Sequence, residues 1–236
     1  MGGVLTKVYG ICRGAPRRYK SAKKSIIISH LSRVPYFFKQ EFCIKQFNSN
    51  LEVMQDPAAG ILLIADPFLK DPNFMRTVVF LCEHQEQGSF GFVLNKKFDQ
   101  SLDELVPELS GLHLPVNYGG PVQMDTLHFL HQFPDKIPGG FEVIDGVYWG
   151  GDFEIAVDLL RNKQIDTNKI RFYIGYSGWS GGQLIDELKE KSWLTTSATR
   201  KLVFHRKLDE IWKDSLKLLG GDYEALINYP IDPQLN

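Results

Sequence analysis

The spacing of apolar positions changes character part way along the chain. Before residue 50 the apolar residues follow no helical or strand period: Ile26, Ile27 and Ile28 stand together, and Phe37 and Phe38 follow loosely. From Gly60 onward they fall into short blocks separated by glycine, proline and charged residues. Residues 61–65 and 77–82 are apolar runs rich in β-branched side chains and read as strands buried on both faces. The polar stretch 83–88 leads into 89–95, and a glycine-containing loop between two such runs signals an antiparallel hairpin. Ser101 followed by Glu104 predicts a capping box that opens a short helix carrying Leu102, Leu105 and Val106, with Pro107 ending it.

Glycine turns then alternate with short strands through 118–122, 127–131 and 146–152. Asp152 caps a predicted helix over 153–162, whose apolar face holds Ile155, Val157, Leu159 and Leu160, with Lys163 near its C-terminal end. A strand at 171–176 leads to a glycine-rich turn at 177–182 and a helix over 183–191 with Leu184, Ile185 and Leu188 on one side. A late strand is expected near 202–204. A helix over 208–219 follows, with Ile211, Trp212, Leu216 and Leu219 at helical spacing and Gly220 and Gly221 as its stop. No period of 20 to 50 residues repeats, which argues against a solenoid or propeller. The pattern predicts an α+β protein.

Composition places the 236 residues, 43% hydrophobic and 23% charged, among globular chains. No stretch reaches the ~18 consecutive apolar residues of a membrane-spanning helix, so no membrane role is expected. Cys12, Cys43 and Cys82 are an odd, widely spaced set, which favours a reducing compartment over a disulfide scaffold or thiolate metal site. The net charge of -1 conceals a division. Residues 1–50 hold ten Lys or Arg and one acid, Glu41, a balance of +9. The other 186 residues hold 17 basic and 27 acidic side chains, a balance of -10. The basic leader, residues 1–53, has the composition of a transit peptide or of a nucleic-acid-binding arm. The preferred reading places it outside the native domain, disordered or untranslated, with the domain covering 54–236 and starting near Met54. Its apolar run is too short for a signal peptide.

The sharpest chemical motif is Gly178, Trp179, Ser180, Gly181, Gly182, which satisfies G-x-S-x-G between a predicted strand and a predicted helix, the setting of a hydrolase nucleophile elbow. Ser180 is the weak catalytic candidate, attacking an acyl carbon. The partners do not fit, because His205 is the only histidine after it and Asp186, Glu187 and Glu190 share one short helix with the turn. The favoured alternative is a structural connection with serine capping the helix. Glycines before a helix also leave N–H groups able to hold an anion, which makes Ser177 to Gly182, with Gly119 and Gly120, candidate ligand-binding positions. Neither a Walker loop nor a dinucleotide fingerprint occurs. His84, His128 and His131 read as surface or partner-bonded residues, the last two on opposite faces of one strand. Glu83 and His84 are adjacent strand residues and cannot share an ion without a bend, and no metal or cofactor site is expected. Cys82 reads as a small buried hydrophobe. Trp149, Trp179, Trp193 and Trp212 read as core anchors, with Trp179 the alternative floor of a pocket.

Taken in order, Ile64-Ala65-Asp66-Pro67-Phe68-Leu69, Asp71-Pro72-Asn73-Phe74, Arg76-Thr77-Val78-Val79, Cys82-Glu83-His84, Gly88-Ser89-Phe90-Gly91-Phe92-Val93-Leu94-Asn95, Tyr118-Gly119-Gly120-Pro121-Val122 and Gly178 to Leu184 with Glu187-Leu188 resemble the bacterial AlgH/YqgE family. The resemblance runs from about Gly60 to Gly220. It implies one compact α+β domain with a mixed, barrel-like sheet and flanking helices in the bacterial cytoplasm. Members are often labelled transcriptional regulators, and the resemblance carries over no catalytic residue. Physical chemistry ranks the functions that remain. The balance of -10 outside the leader and the lack of a recognisable helix-turn-helix disfavour direct DNA binding, although Arg200, Lys201, Arg206 and Lys207 could form a local basic patch. The preferred expectation is a non-enzymatic regulatory protein that binds a protein partner or a small anionic ligand at the glycine-rich loops.

Overall fold

The computed structural model describes residues 56–106 and 109–228; the expectations for residues 1–53 lie outside them. The described residues form ten strands and six α-helices. The strands are β1 Ile61–Ala65, β2 Val78–Gln85, β3 Gly88–Val93, β4 Lys97–Ser101, β5 Pro115–Tyr118, β6 Val122–His131, β7 Phe141–Ile144, β8 Val147–Trp149, β9 Ile170–Ser180 and β10 Trp193–Ser197. The helices are α1 Leu102–Leu105, α2 Phe153–Arg161, α3 Gln183–Lys189, α4 Arg200–Val203, α5 Ile211–Leu219 and α6 Tyr223–Leu226.

The main path of the sheet runs β10-β1-β2-β3-β9-β6-β8-β7, with β4 and β5 attached beside β9. Every pairing is antiparallel except β5 with β9. The sheet curls into a half-barrel, a mixed α+β domain as expected. Its spine is β9, whose first half pairs with β5 and β6 and whose last four residues pair with β3. Thus β3 and β5 lie end to end along one side of β9, joined where the Val93 N–H donates to Gly119 O at 2.9 Å. The join needs glycine. A Cβ on Gly119 would stand 2.2 Å from the carbonyl oxygen of Gly175, and on Gly120 2.3 Å from the Ser177 nitrogen, so neither strand could approach with a side chain there.

Apolar residues fill three clusters. One face of β1–β3 and β9, with Leu62, Ile64, Phe80, Phe92 and Tyr173, is covered by Leu202, Val203, Ile211, Trp212 and Leu216 of α4 and α5. The opposite face, with Ile61, Leu63, Val79, Leu81 and Trp179, is covered by Leu184 and Leu188 of α3. A third cluster gathers Ala156, Val157 and Leu160 of α2 against Phe129 and Phe172. Trp179, Trp193 and Trp212 are buried anchors, and Trp149 is half-buried.

Several predicted elements shift. The 77–82 strand extends through Gln85 and turns at Glu86 and Gln87, with a bulge between Leu81 and Glu83. The capping box forms, with the Glu104 carboxylate accepting from the Ser101 N–H at 2.8 Å. Val106 then turns extended, the conformation a following proline requires. Asp152 caps α2 through the Ile155 N–H at 3.0 Å, but Ile155 and Ile185 face outward, 37% and 42% exposed. The strand expected at 202–204 is α4 instead, capped by Thr199. The strand that completes the sheet is β10, where Trp193 and Leu194 are followed by Thr195, Thr196 and Ser197, so its apolar run is too short to stand out. The glycine-rich turn expected at 177–182 is also corrected: Ser177 to Ser180 continue β9, because glycines in strands serve close backbone packing as well as turns.

Candidate functional site

The motif residues at the end of β9 form a structural network. Ser177 is buried, and its hydroxyl donates to Gly119 O at 3.1 Å. Gly178 lies opposite Phe90, beneath the ring of Tyr176. Trp179 donates its indole N–H to Glu187 Oε2 at 2.8 Å, and Trp193 donates to the same oxygen at 2.8 Å. Gln183 donates to Glu187 Oε1 at 2.9 Å and accepts from both the Ser180 N–H and its hydroxyl at 3.1 Å. Phe74 stacks on Trp179 with ring centroids 6.3 Å apart and meets Trp193 edge-on at 5.3 Å. Trp179 is thus an anchor under Phe74.

Ser180 is exposed at the last position of β9, with its hydroxyl on Gln183. It does not cap α3: the cap is Gly182, in the left-handed region at φ 82°. Gly181 packs on the β2–β3 turn, where a Cβ would meet Glu86 O at 2.5 Å. His205 places Nε2 3.4 Å from Asp214 Oδ2, and its Nδ1 meets Lys207 O at 2.8 Å. None of these bonds joins His205 to Ser180.

The other candidate groups are held by neighbours. His84 Nδ1 meets Ser89 Oγ at 2.6 Å. His128 Nε2 meets Thr126 Oγ1 at 2.9 Å, and burial pushes its pKa down to about 4. His131, buried on the opposite face, meets Gly150 O at 3.0 Å and accepts from the Phe133 N–H at 3.1 Å. Burial pushes the Cys82 thiol pKa well up, and the Glu83 charge adds to this. No group of three or more His, Cys, Asp or Glu is placed to hold a metal ion among the described residues.

An open groove of about 510 Å³ lies between the 66–76 loop and β4–β5, lined by Asn73, Asn95, Lys96, Lys97, Phe98, Asp99 and Tyr118. Its wall begins with Asn95, whose side chain accepts from the Val78 N–H at 2.9 Å and donates to Arg76 O at 2.8 Å, tying the loop to the sheet. Lys96 donates to Pro72 O and Asn73 O, both at 2.9 Å, and its ammonium stands 5.9 Å from the centre of the Tyr118 ring. The Tyr118 hydroxyl reaches Asn73 Oδ1 at 3.4 Å. Burial lowers the Lys96 pKa against the opposing pull of Asp71, whereas burial and then Asp71 raise that of Tyr118. The two carbonyls use two of the three ammonium donors, and Lys97 and the Asn73 amide add donors on the same groove. Sequence reasoning gave these residues no role. The available signal is a Lys-Lys pair directly after the predicted 89–95 run, which in the structure leaves the strand at Val93.

A half-barrel with a groove beside its parallel β5–β9 pair defines a fold class that comparison then names. A family profile described as AlgH-like matches residues 62–224, and the chain belongs to that family. It is 44% identical over 177 residues to a UPF0301 protein of Chlorobium limicola, covering 75% of this chain and 95% of that one. With a UPF0301 protein of Parabacteroides distasonis it shares 41% over 182 residues, 76% of this chain and 92% of the relative. The solution structure of AlgH from Pseudomonas aeruginosa matches with TM-score 0.58 and 28% identity, covering 76% of this chain and 98% of that chain. A crystal structure of a Corynebacterium diphtheriae protein shares the fold at TM-score 0.64 and 19% identity, covering 78% of this chain and 97% of that chain.

Proposed function

We propose that the protein is a cytoplasmic, non-enzymatic binding protein that takes a small anionic ligand in the Lys96 groove. The observation that carries this reading is the Lys96 ammonium, fixed by two carbonyls at 2.9 Å on the wall of an open groove that Lys97 also lines. A cation already held in place loses little freedom when an anion arrives, which is how preorganisation raises affinity. Gly119 and Gly120 serve this reading indirectly, letting β5 lie against β9 and so fixing Tyr118. The 17 basic and 27 acidic residues outside residues 1–50 work against the alternative, a regulator reading duplex DNA.

Titration of the full chain with inorganic phosphate and with citrate, followed by calorimetry, tests the proposal. Saturable binding that Lys97→Gln weakens about fivefold is expected, equivalent to about 1 kcal/mol for one charge-assisted contact. No saturable heat, or equal affinity in Lys97→Gln, removes this reading. DNA binding with a steep salt dependence favours the alternative.

A further inference from the structure

A second surface lies apart from the groove. Phe141, on β7 at one end of the main sheet path, is 51% exposed and stacks on the half-buried indole of Trp149, with centroids 5.9 Å apart. Trp149 meets the edge of Phe90 at 4.7 Å, and Phe90 meets Tyr176 at 6.0 Å. Phe90 and Tyr176 are also only partly buried. These four rings make a continuous aromatic face on the side of the sheet opposite α3 and Trp179, with Phe141 exposed and the other three packed on the main cluster and partly open, and apolar patches open to solvent mark interaction sites. The Tyr176 hydroxyl and the Trp149 indole N–H make no hydrogen bond to other described residues.

The charge beside the face is negative. Glu83 stands directly across from Phe90 in the β2–β3 register, so its carboxylate rises from the same side of the sheet. It accepts from Gln85 at 2.7 Å and has no salt-bridge partner among the described residues. A carboxylate without a cation at the border of stacked rings complements a group that is flat, positive and weakly hydrated. A guanidinium meets all three conditions, because it stacks on indole and phenyl faces while donating to a carboxylate.

We propose that Phe90, Phe141, Trp149 and Tyr176, with Glu83, form a docking surface for an arginine-bearing segment of a partner protein. The guanidinium lies on the aromatic face and donates to Glu83. The Tyr176 hydroxyl and Trp149 N–H donate to carbonyls of the extended chain, as aromatic grooves do toward proline-containing peptides.

Trp149 supplies the readout, since Trp179, Trp193 and Trp212 are 6%, 1% and 3% exposed. The full chain is titrated at low salt with an eight-residue peptide of alternating arginine and proline, and with its uncharged citrulline counterpart, following tryptophan emission. The arginine peptide is expected to bind about tenfold more tightly than the citrulline peptide, as a partly desolvated cation–π contact joined to a carboxylate allows. The emission change should vanish in Trp149→Phe. Phe141→Ser and Glu83→Gln should each weaken binding about fivefold, with far-ultraviolet circular dichroism unchanged. Equal binding of the two peptides overturns the proposal. So does an arginine affinity that neither substitution alters, which would place the cation elsewhere on the acidic body. A concentration-dependent dimer that excludes the peptide also overturns it, assigning the face to a second copy of the chain.

Discussion

At the residue scale, Glu187 shows how a motif that suggests chemistry can serve architecture. One carboxylate accepts from two indoles and a carboxamide, and that carboxamide holds both polar groups of Ser180. The serine that satisfies a hydrolase pattern thus lies at the end of a chain of bonds that fixes Phe74 and the 66–76 loop through Trp179 and Trp193. Glu187→Ala should leave two indole N–H groups without an acceptor and cost roughly 2–4 kcal/mol, read as a fall in the urea midpoint at constant m-value. A loss below about 0.5 kcal/mol would show that water replaces the carboxylate without penalty. Sequence reasoning recognised the motif and the poor fit of its partners. The role of Glu187 has no signature in the sequence, because a hydrogen bond from Trp193 to a helix residue six positions before it, in neither strand nor helix register, leaves no periodic trace.

At the element scale, the legible parts of the fold were those governed by local rules. The apolar runs of β1 and β2, the capping box before α1 and the Asp152 cap of α2 each depend on residues within a few positions of one another. The errors arose where distant packing decides. Leu202, Val203 and Phe204 are an apolar triplet that looks like a strand, yet the Thr199 cap and the cover that α4 supplies to the main cluster make it a helix. The glycines near 120 and 178 read as turns, although their neighbours are other strands. Gly119 is the clearest case, and Gly119→Ala should break the parallel β5–β9 pairing, because its methyl group would occupy the position of the Gly175 carbonyl. A cost above about 3 kcal/mol is expected, in the range of severe backbone disruption, together with faster amide exchange in β5 than in β1. Retained stability with native exchange rates would show that the join has slack. The groove was equally hidden in the sequence, since Asn73 and Tyr118 meet only once β5 is in place.

At the scale of the whole molecule, buried imidazoles couple stability to pH. In the unfolded chain a histidine takes up a proton near pH 6.5, whereas His128 in the folded protein does so only near pH 4 because burial disfavours its charged form. Between those values the unfolded state binds more protons, so stability falls as pH drops from about 6.5 toward 4 and recovers as pH rises. His128 accounts for at most about 3 kcal/mol of this, at 1.36 kcal/mol per pH unit. Burial shifts His131 the same way, opposed by its bond to Gly150. Chemical denaturation from pH 7 to pH 4.5 should therefore show a slope that His128→Gln reduces and does not abolish. An unchanged slope in that variant would mean that His128 takes up its proton as readily in the fold as in the unfolded chain.

The register of the first strand bears on how this molecule is made. Ile61 pairs with Ser197 and Ala65 with Trp193, so one flank of β1 stays bare until almost the entire described domain has left the ribosome. The emerging polypeptide carries two oily ribbons, β1 and β2, through most of its synthesis, and long-range closure of this kind is slow and exposes sticky edges to neighbouring chains. The cost of this register is a long exposure of those ribbons, which ends only when translation delivers the closing strand.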